Sequence, residues 1–387
     1  MTQDVSAFRS QFPILRAKTY LNSCSQGALS RDVEAAIEEW LHSWHQQGSP
    51  WDQWVDQYEA GRRQFAALIN ARPEEVAIVA SASAGVNALA SALSFGQRKK
   101  IVLGEFEFPT MGHIWLSQRT RGADVIFAPA TGNRMLPETY EALVDRNTLI
   151  VPLTHMCFMN GFRSPVAEVV KIAHDRGALV LLDDYQDCGT RPIDVKAMQV
   201  DAYVSGTLKY LLGPPGVAFL YVREELADSL VPTVTGWFGQ RNPFAFDVKL
   251  LDPAPGTRRF ESGTPPIPSI YGAMAGAKLL QDVGLARVAE EVRQLTRALI
   301  GGATDLGVKM KTPADSVGPL IVLQTLDADG LVKLFGTEGI VCSNRHDGLR
   351  LSVHAYNTLD EVKAVLRLIE KNLNLFVTTP APTGAAN

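Results

Sequence analysis

Two stretches of the chain run an apolar segment straight into charged residues, and both can do chemistry. In LVLLDDYQDCGT (residues 179–190), four apolar residues lead into Asp183 and Asp184, with Gln186 close behind. A carboxylate at the end of a buried strand has left water at a cost that a cationic partner must offset. Taken alone, Asp183 reads equally as a helix cap or a solvated loop acid. In DAYVSGTLKYLLGPPGVAFLYV (201–222), a Ser-Gly-Thr turn delivers Lys209 among Leu208, Tyr210, Leu211 and Leu212. An ammonium in apolar surroundings gives up its proton more easily, which prepares the amine to form a Schiff base. The competing reading is a lysine that snorkels at the edge of a sheet.

The elements that must position these groups alternate. Short runs rich in Val, Ile and Leu lie at 76–79, 100–103, 125–128, 149–153, 178–182, 202–205 and 217–222. Most are apolar on both faces, as strands of a covered parallel sheet are. Helical patterns separate them; VAEVVKIAHDR (166–176) has apolar spacing near 3.6 and Gly177 as a stop signal. This alternation predicts an α/β domain of three layers, α/β/α, around a mostly parallel seven-stranded sheet. In such a sheet, ligands gather beyond the strands' carboxyl ends, and Asp183 and Lys209 both lie there. After residue 247 the pattern becomes α+β: helices near 270–281 and 285–299, strands near 318–324 and 349–353, and a helix at 359–373. We therefore expect an N-terminal segment at 1–19 packing on the small domain and a large domain at 20–247. A smaller α+β domain follows at 248–375, then a disordered Pro/Thr/Ala-rich tail at 376–387.

Composition excludes several classes. The 387 residues are 46% hydrophobic and 20% charged with net charge −4, so a nucleic-acid or anionic-membrane partner is not expected. No apolar run approaches the ~20 residues that cross a bilayer, and the N-terminus lacks a signal-peptide layout. Cys24, Cys157, Cys188 and Cys342 show no CxxC spacing, so no metal site is expected and a reduced, cytoplasmic protein is. No G-x-G-x-x-G follows a strand, which argues against a nicotinamide enzyme.

Taken in order, these motifs resemble the class V aminotransferase family of fold-type-I pyridoxal-phosphate enzymes, the group of isopenicillin-N-epimerase-like proteins, kynureninases and cysteine desulfurases. The resemblance runs from about Tyr20 to Val362. It implies that Lys209 holds pyridoxal 5'-phosphate as a Schiff base and that Asp183 pairs with the pyridinium nitrogen, the two catalytic assignments. Gln186 would hydrogen-bond the phenolic oxygen, and Phe108 in EFEFPTMGHIW would stack on the ring. Ala82 and Ser83 in VASASAGVNALA match the phosphate turn at a helix start, with Ser205 and Thr207 as further phosphate candidates. Gly263 and Thr264 in FESGTPP match a loop that reaches the neighbouring subunit's cofactor, implying a homodimer with active sites at the interface. On the substrate side, Arg350 in RLSVHAYNT matches the arginine that binds the α-carboxylate, and Asn22 in YLNSCSQG matches an N-terminal active-site loop. His155 follows a strand, where it reads as a cofactor neighbour or a core histidine. Arg345 and His346 flank the carboxylate site, and either reads a second acidic group or is a solvated loop residue.

The family chemistry is removal of a substrate α-proton, followed by lyase, epimerase or transaminase outcomes. Phe108 and Phe158 match the epimerase-like and kynureninase-like branches, so the expectation leans to lyase or isomerase chemistry (C–S or other C–X cleavage, or racemisation). Plain amino-group transfer to a keto acid is the alternative, and a non-catalytic binding protein on the same scaffold a second. A persulfide-forming desulfurase is disfavoured, because Cys342 sits at a strand end and not on the loop that carries the family's nucleophilic cysteine.

Overall fold

The computed structural model describes residues 4–379. Its strands in chain order are β1 (Thr19–Tyr20), β2 (Val76–Val79), β3 (Lys100–Gly104), β4 (Asp124–Ala128), β5 (Thr148–Thr154) and β6 (Leu179–Asp183). Then follow β7 (Ala202–Gly206), β8 (Ala218–Val222), β9 (Leu320–Gln324), β10 (Ile340–Val341), β11 (Ser343–Arg345) and β12 (Gly348–Ser352). Seven of them form the main sheet in the order β2-β8-β7-β6-β5-β3-β4. Only β8 runs against its neighbours, pairing antiparallel with β2 and β7. The two-sided apolar runs fit this arrangement, because helices cover both faces and leave β2, β7 and β8 buried throughout. The helix expected at 166–176 spans Val166–Asp175, and Gly177 ends it at φ 70°.

The second body is a three-stranded antiparallel sheet, β11-β12-β9, packed against helices Leu285–Asp305 and Ala328–Thr337, with Leu359–Lys371 lying on the first of them. The helix Ile267–Val283, expected in the small domain, packs instead on Arg31–Gln47 and Trp51–Leu68 beside the main sheet. Gly284, at φ 89°, separates it from the following helix. By packing, the units therefore part near Gly284, later than the expected 248. The composition shift at 248 marks a loop-rich stretch, which an apolar helix follows back onto the large body.

At the N-terminus, Phe12 meets Tyr356 with ring centroids 4.8 Å apart, and Arg9 pairs with Glu361 at 2.8 Å. The chain end also differs from expectation. Phe376 is buried and bridges Thr325, and Thr378 bridges Val308, so 376–379 extend the small body. Burying the Phe376 ring outweighs the polar composition around it. Residues 380–387 lie outside the described residues.

Candidate active site

A cavity of about 380 Å³ opens at the carboxyl ends of β2, β5, β6 and β7. Asp183 ends β6 at its floor and is 8% exposed. Burial raises its carboxyl to about 6, against the Tyr185 N–H that donates to Oδ1 at 3.0 Å and the charge of Lys209. Lys209 lies three residues beyond β7, in a turn pinned by Gly213 N–H to Thr207 O at 2.9 Å and Thr207 Oγ1 to Pro214 O at 2.8 Å. Burial pushes the Lys209 amine down to about 8, although Asp183 pulls the other way. The two charges thus hold each other in a site that disfavours either alone.

Two rings flank the amine. Nζ lies 4.4 Å from the Tyr185 ring centre and 5.6 Å from that of Phe108, which packs edge-on against Phe158 at 5.0 Å. Tyr185 escaped sequence reasoning, and its signal is Gly206: a Cβ there would sit 2.1 Å from the Tyr185 hydroxyl and ring. Only glycine admits the tyrosine at that strand end.

At another wall, Ser81 caps the helix Ala82–Ala92, its Oγ accepting from Ala84 N–H at 3.1 Å. Ser81, Ala82 and Ser83 all line the cavity, and Ser83 Oγ lies 2.9 Å from Thr110 Oγ1. The first-turn N–H groups and the helix dipole make this an anion-attracting end. Arg350, on β12, enters from the small body. It is 1% exposed, yet donates only to Ser25 Oγ, Ser343 Oγ and Phe158 O and meets no carboxylate among the described residues. Arg345 lines the same wall.

Six of the expected site residues do not reach the cavity from their own chain. His155 turns inward, its Nδ1 2.8 Å from Asp184 Oδ1 and its ring against Arg191. It belongs to a buried network in which Arg163 and Arg191 hold the Asp187 carboxyl well below the usual range, though burial alone would raise it. His155, Asp184 and Asp187 lie close enough to grip a metal ion, but the two guanidiniums already supply the cations. Asn22 pairs with Ser352, and the turn it starts carries Cys24 and Ser25 into the cavity in its place. Ser205 is fully buried with its Oγ on Gly206 O, because strand alternation points it away, and the Thr207 hydroxyl is spent on the turn. Gly263 and Thr264 are exposed and outside this cavity. The tryptophans at 40, 44, 51 and 54 pack on one another, Trp40 and Trp44 at 5.4 Å, and none lines the cavity.

Cys342 is buried with its thiol pushed up to about 12, so it is no thiolate. Cys24, however, lines the cavity. The site does hold a thiol, and the case against a desulfurase that looked only to Cys342 does not stand.

The profile of one protein family, described as Aminotransferase class-V, matches residues 20–365. The chain belongs to that family. Its cofactor is pyridoxal 5'-phosphate. An uncharacterized aminotransferase, YcbU of Bacillus subtilis, is 34% identical over 357 residues, 92% of this chain and 95% of that protein. A kynureninase of Deinococcus radiodurans is 30% identical over 303 residues, 76% of this chain and 72% of its own length. In fold, the apo cysteine desulfurase of Thermococcus onnurineus superposes with TM-score 0.87 at 22% identity, covering 97% of this chain and all of that one. The cavity suits the class-V cofactor in three respects. A buried carboxylate stands ready for a cationic ring nitrogen, a helix start for a phosphate, and the Gln186 Oε1 is buried without a partner.

Proposed function

We propose that this class-V enzyme removes the α-proton of an α-amino acid with Lys209 and directs the outcome to lyase or epimerase chemistry. The observation that carries the substrate reading is Arg350: a guanidinium 1% exposed and without a carboxylate partner is balanced once a substrate carboxylate arrives. Bound pyridoxal phosphate supplies an aldehyde that condenses with amines and a ring that takes up the electron pair left at the α-carbon. The chain's own residues do the rest. Lys209 exchanges between amine and ammonium near neutral pH, which suits both nucleophilic attack and return of a proton to carbon. Asp183 would pair with the ring nitrogen and keep it protonated, and the Gln186 amide, whose Nε2 donates to Cys24 O at 3.2 Å, would turn that N–H to the phenolic oxygen. The helix start at Ala82 and Ser83 takes the phosphate. Phe108 and Tyr185, which flank Lys209 Nζ, would cover the ring and exclude water from the reacting carbon.

Phe108 and Phe158, the residues that match the epimerase-like and kynureninase-like branches, both line the cavity and support the lean to lyase or epimerase chemistry over amino-group transfer. Assembly as a homodimer accounts for the exposed Gly263–Thr264 loop, which would act in a partner's site, and for exposed apolar side chains such as Phe246 at 71% and Val248 at 94%. Four unpaired thiols suit a cytoplasmic setting.

Purified holoenzyme should be yellow, and borohydride should bleach it while fixing the cofactor to the peptide that contains Lys209. Colourless protein that takes up no pyridoxal phosphate would overturn the assignment. Screening amino acids for keto-acid, ammonia and sulfide release, and for loss of optical rotation, then sorts the outcomes.

A further inference from the structure

We infer that the substrate carries a second anionic group on a short side chain, and that Arg345 binds it while Arg350 holds the α-carboxylate. The inference deepens the reading of Arg350 above and rests on it.

The β11–β12 hairpin sets the two guanidiniums side by side. Its register pairs Ser343 with Arg350 and Arg345 with Gly348. Residues 343 and 345 share a face of the strand, so Arg345 is the diagonal neighbour of Arg350, about 7–8 Å away between backbones. Both line the cavity. Among the described residues, the only polar contact of Arg345 is Nη1 to the backbone oxygen of Asn344 at 2.7 Å.

Acids of the hairpin, the neighbouring helix and the buried network are already engaged. Asp347 pairs with Lys311 and Gln324, Asp329 accepts from Asn344 Nδ2 at 2.7 Å, and Asp184 and Asp187 belong to the His155 network. Burial and then the neighbouring Arg350 lower the Arg345 guanidinium from its usual range, as expected for like charges facing one space. On the reading above, Asp183 serves the ring nitrogen, the helix start the phosphate and Arg350 the α-carboxylate, all within this cavity. Arg345 is left over. Arg345 is exposed on the cavity wall, where water solvates it and leaves its fork open to a side-chain carboxylate, or a group of like charge and shape.

Calorimetric titration of the holoenzyme with succinate and glutarate, against butyrate and valerate at fixed ionic strength, tests this. The dicarboxylates should bind about tenfold more tightly, the margin of one charge-assisted pair. Arg345→Gln should bring them down to the monocarboxylates, with the cofactor's absorption band and circular dichroism unchanged. Equal affinity for mono- and dicarboxylates, or a margin that survives Arg345→Gln, overturns the inference alone, provided that Arg350→Gln still weakens butyrate. Butyrate binding indifferent to Arg350→Gln overturns the α-carboxylate reading and this inference with it.

Discussion

Lys209 and Asp183 line one cavity and shift each other's titration, which is measurable. With the amine near 8 in place of the ordinary 10.5, its neutral, nucleophilic fraction grows as pH rises through about 8. Uptake of pyridoxal phosphate by cofactor-free protein should therefore accelerate with a midpoint near pH 8. Because the Asp183 charge favours the ammonium, Asp183→Asn should move that midpoint lower. A midpoint near that of a free lysine would show that the amine is not desolvated as described. Replacing Lys209 by Ala should cost about 10²–10⁴-fold in turnover, the usual worth of a positioned acid–base group, with binding of substrate largely kept. At this scale the sequence was informative for a physical reason. Charged residues at the ends of apolar runs are costly, so their presence flags a use, and Asp183, Gln186, Lys209 and Arg350 all reach the cavity.

The strand ends decide which side chains can share that space. Gly206 ends β7 where the Tyr185 ring lies, and a methyl group there would stand 2.1 Å from it. Gly206→Ala should cost about 1–3 kcal/mol, the usual range for overpacking, read by chemical denaturation. In a Tyr185→Ala background the same change should cost far less, since the clash has been removed; an equal cost in both backgrounds would place the strain elsewhere. Ser205 was misjudged at this same scale, and His155 takes the second of its two readings, the core histidine. Both sit beside strand ends as expected, but pleat and local hydrogen bonds turn their side chains into the interior. Sequence spacing names the strand end; it does not say which way a side chain leaves it.

On the scale of the whole molecule, the cavity is assembled from parts far apart in the chain: the turn at Cys24, the ends of β2 and β5 to β7, and the hairpin that bears Arg345 and Arg350. The exposed Gly263–Thr264 loop and the exposed apolar side chains at Phe246 and Val248 lead us to expect a dimer, with a mass by light scattering twice that of one chain. A monomer that binds pyridoxal phosphate normally would remove the proposed role of that loop. The sequence by itself determined the alternation of strands and helices, hence the α/β sheet, and the costly charged residues at its carboxyl ends, because apolar periodicity and desolvation are properties of local sequence. Only the packing of distant segments puts Tyr185, Cys24 and Ser25 on the cavity, keeps His155, Asn22 and Ser205 off it, and joins Ile267–Val283 to the large body. Those outcomes depend on which surfaces meet across long separations, and no local pattern encodes that.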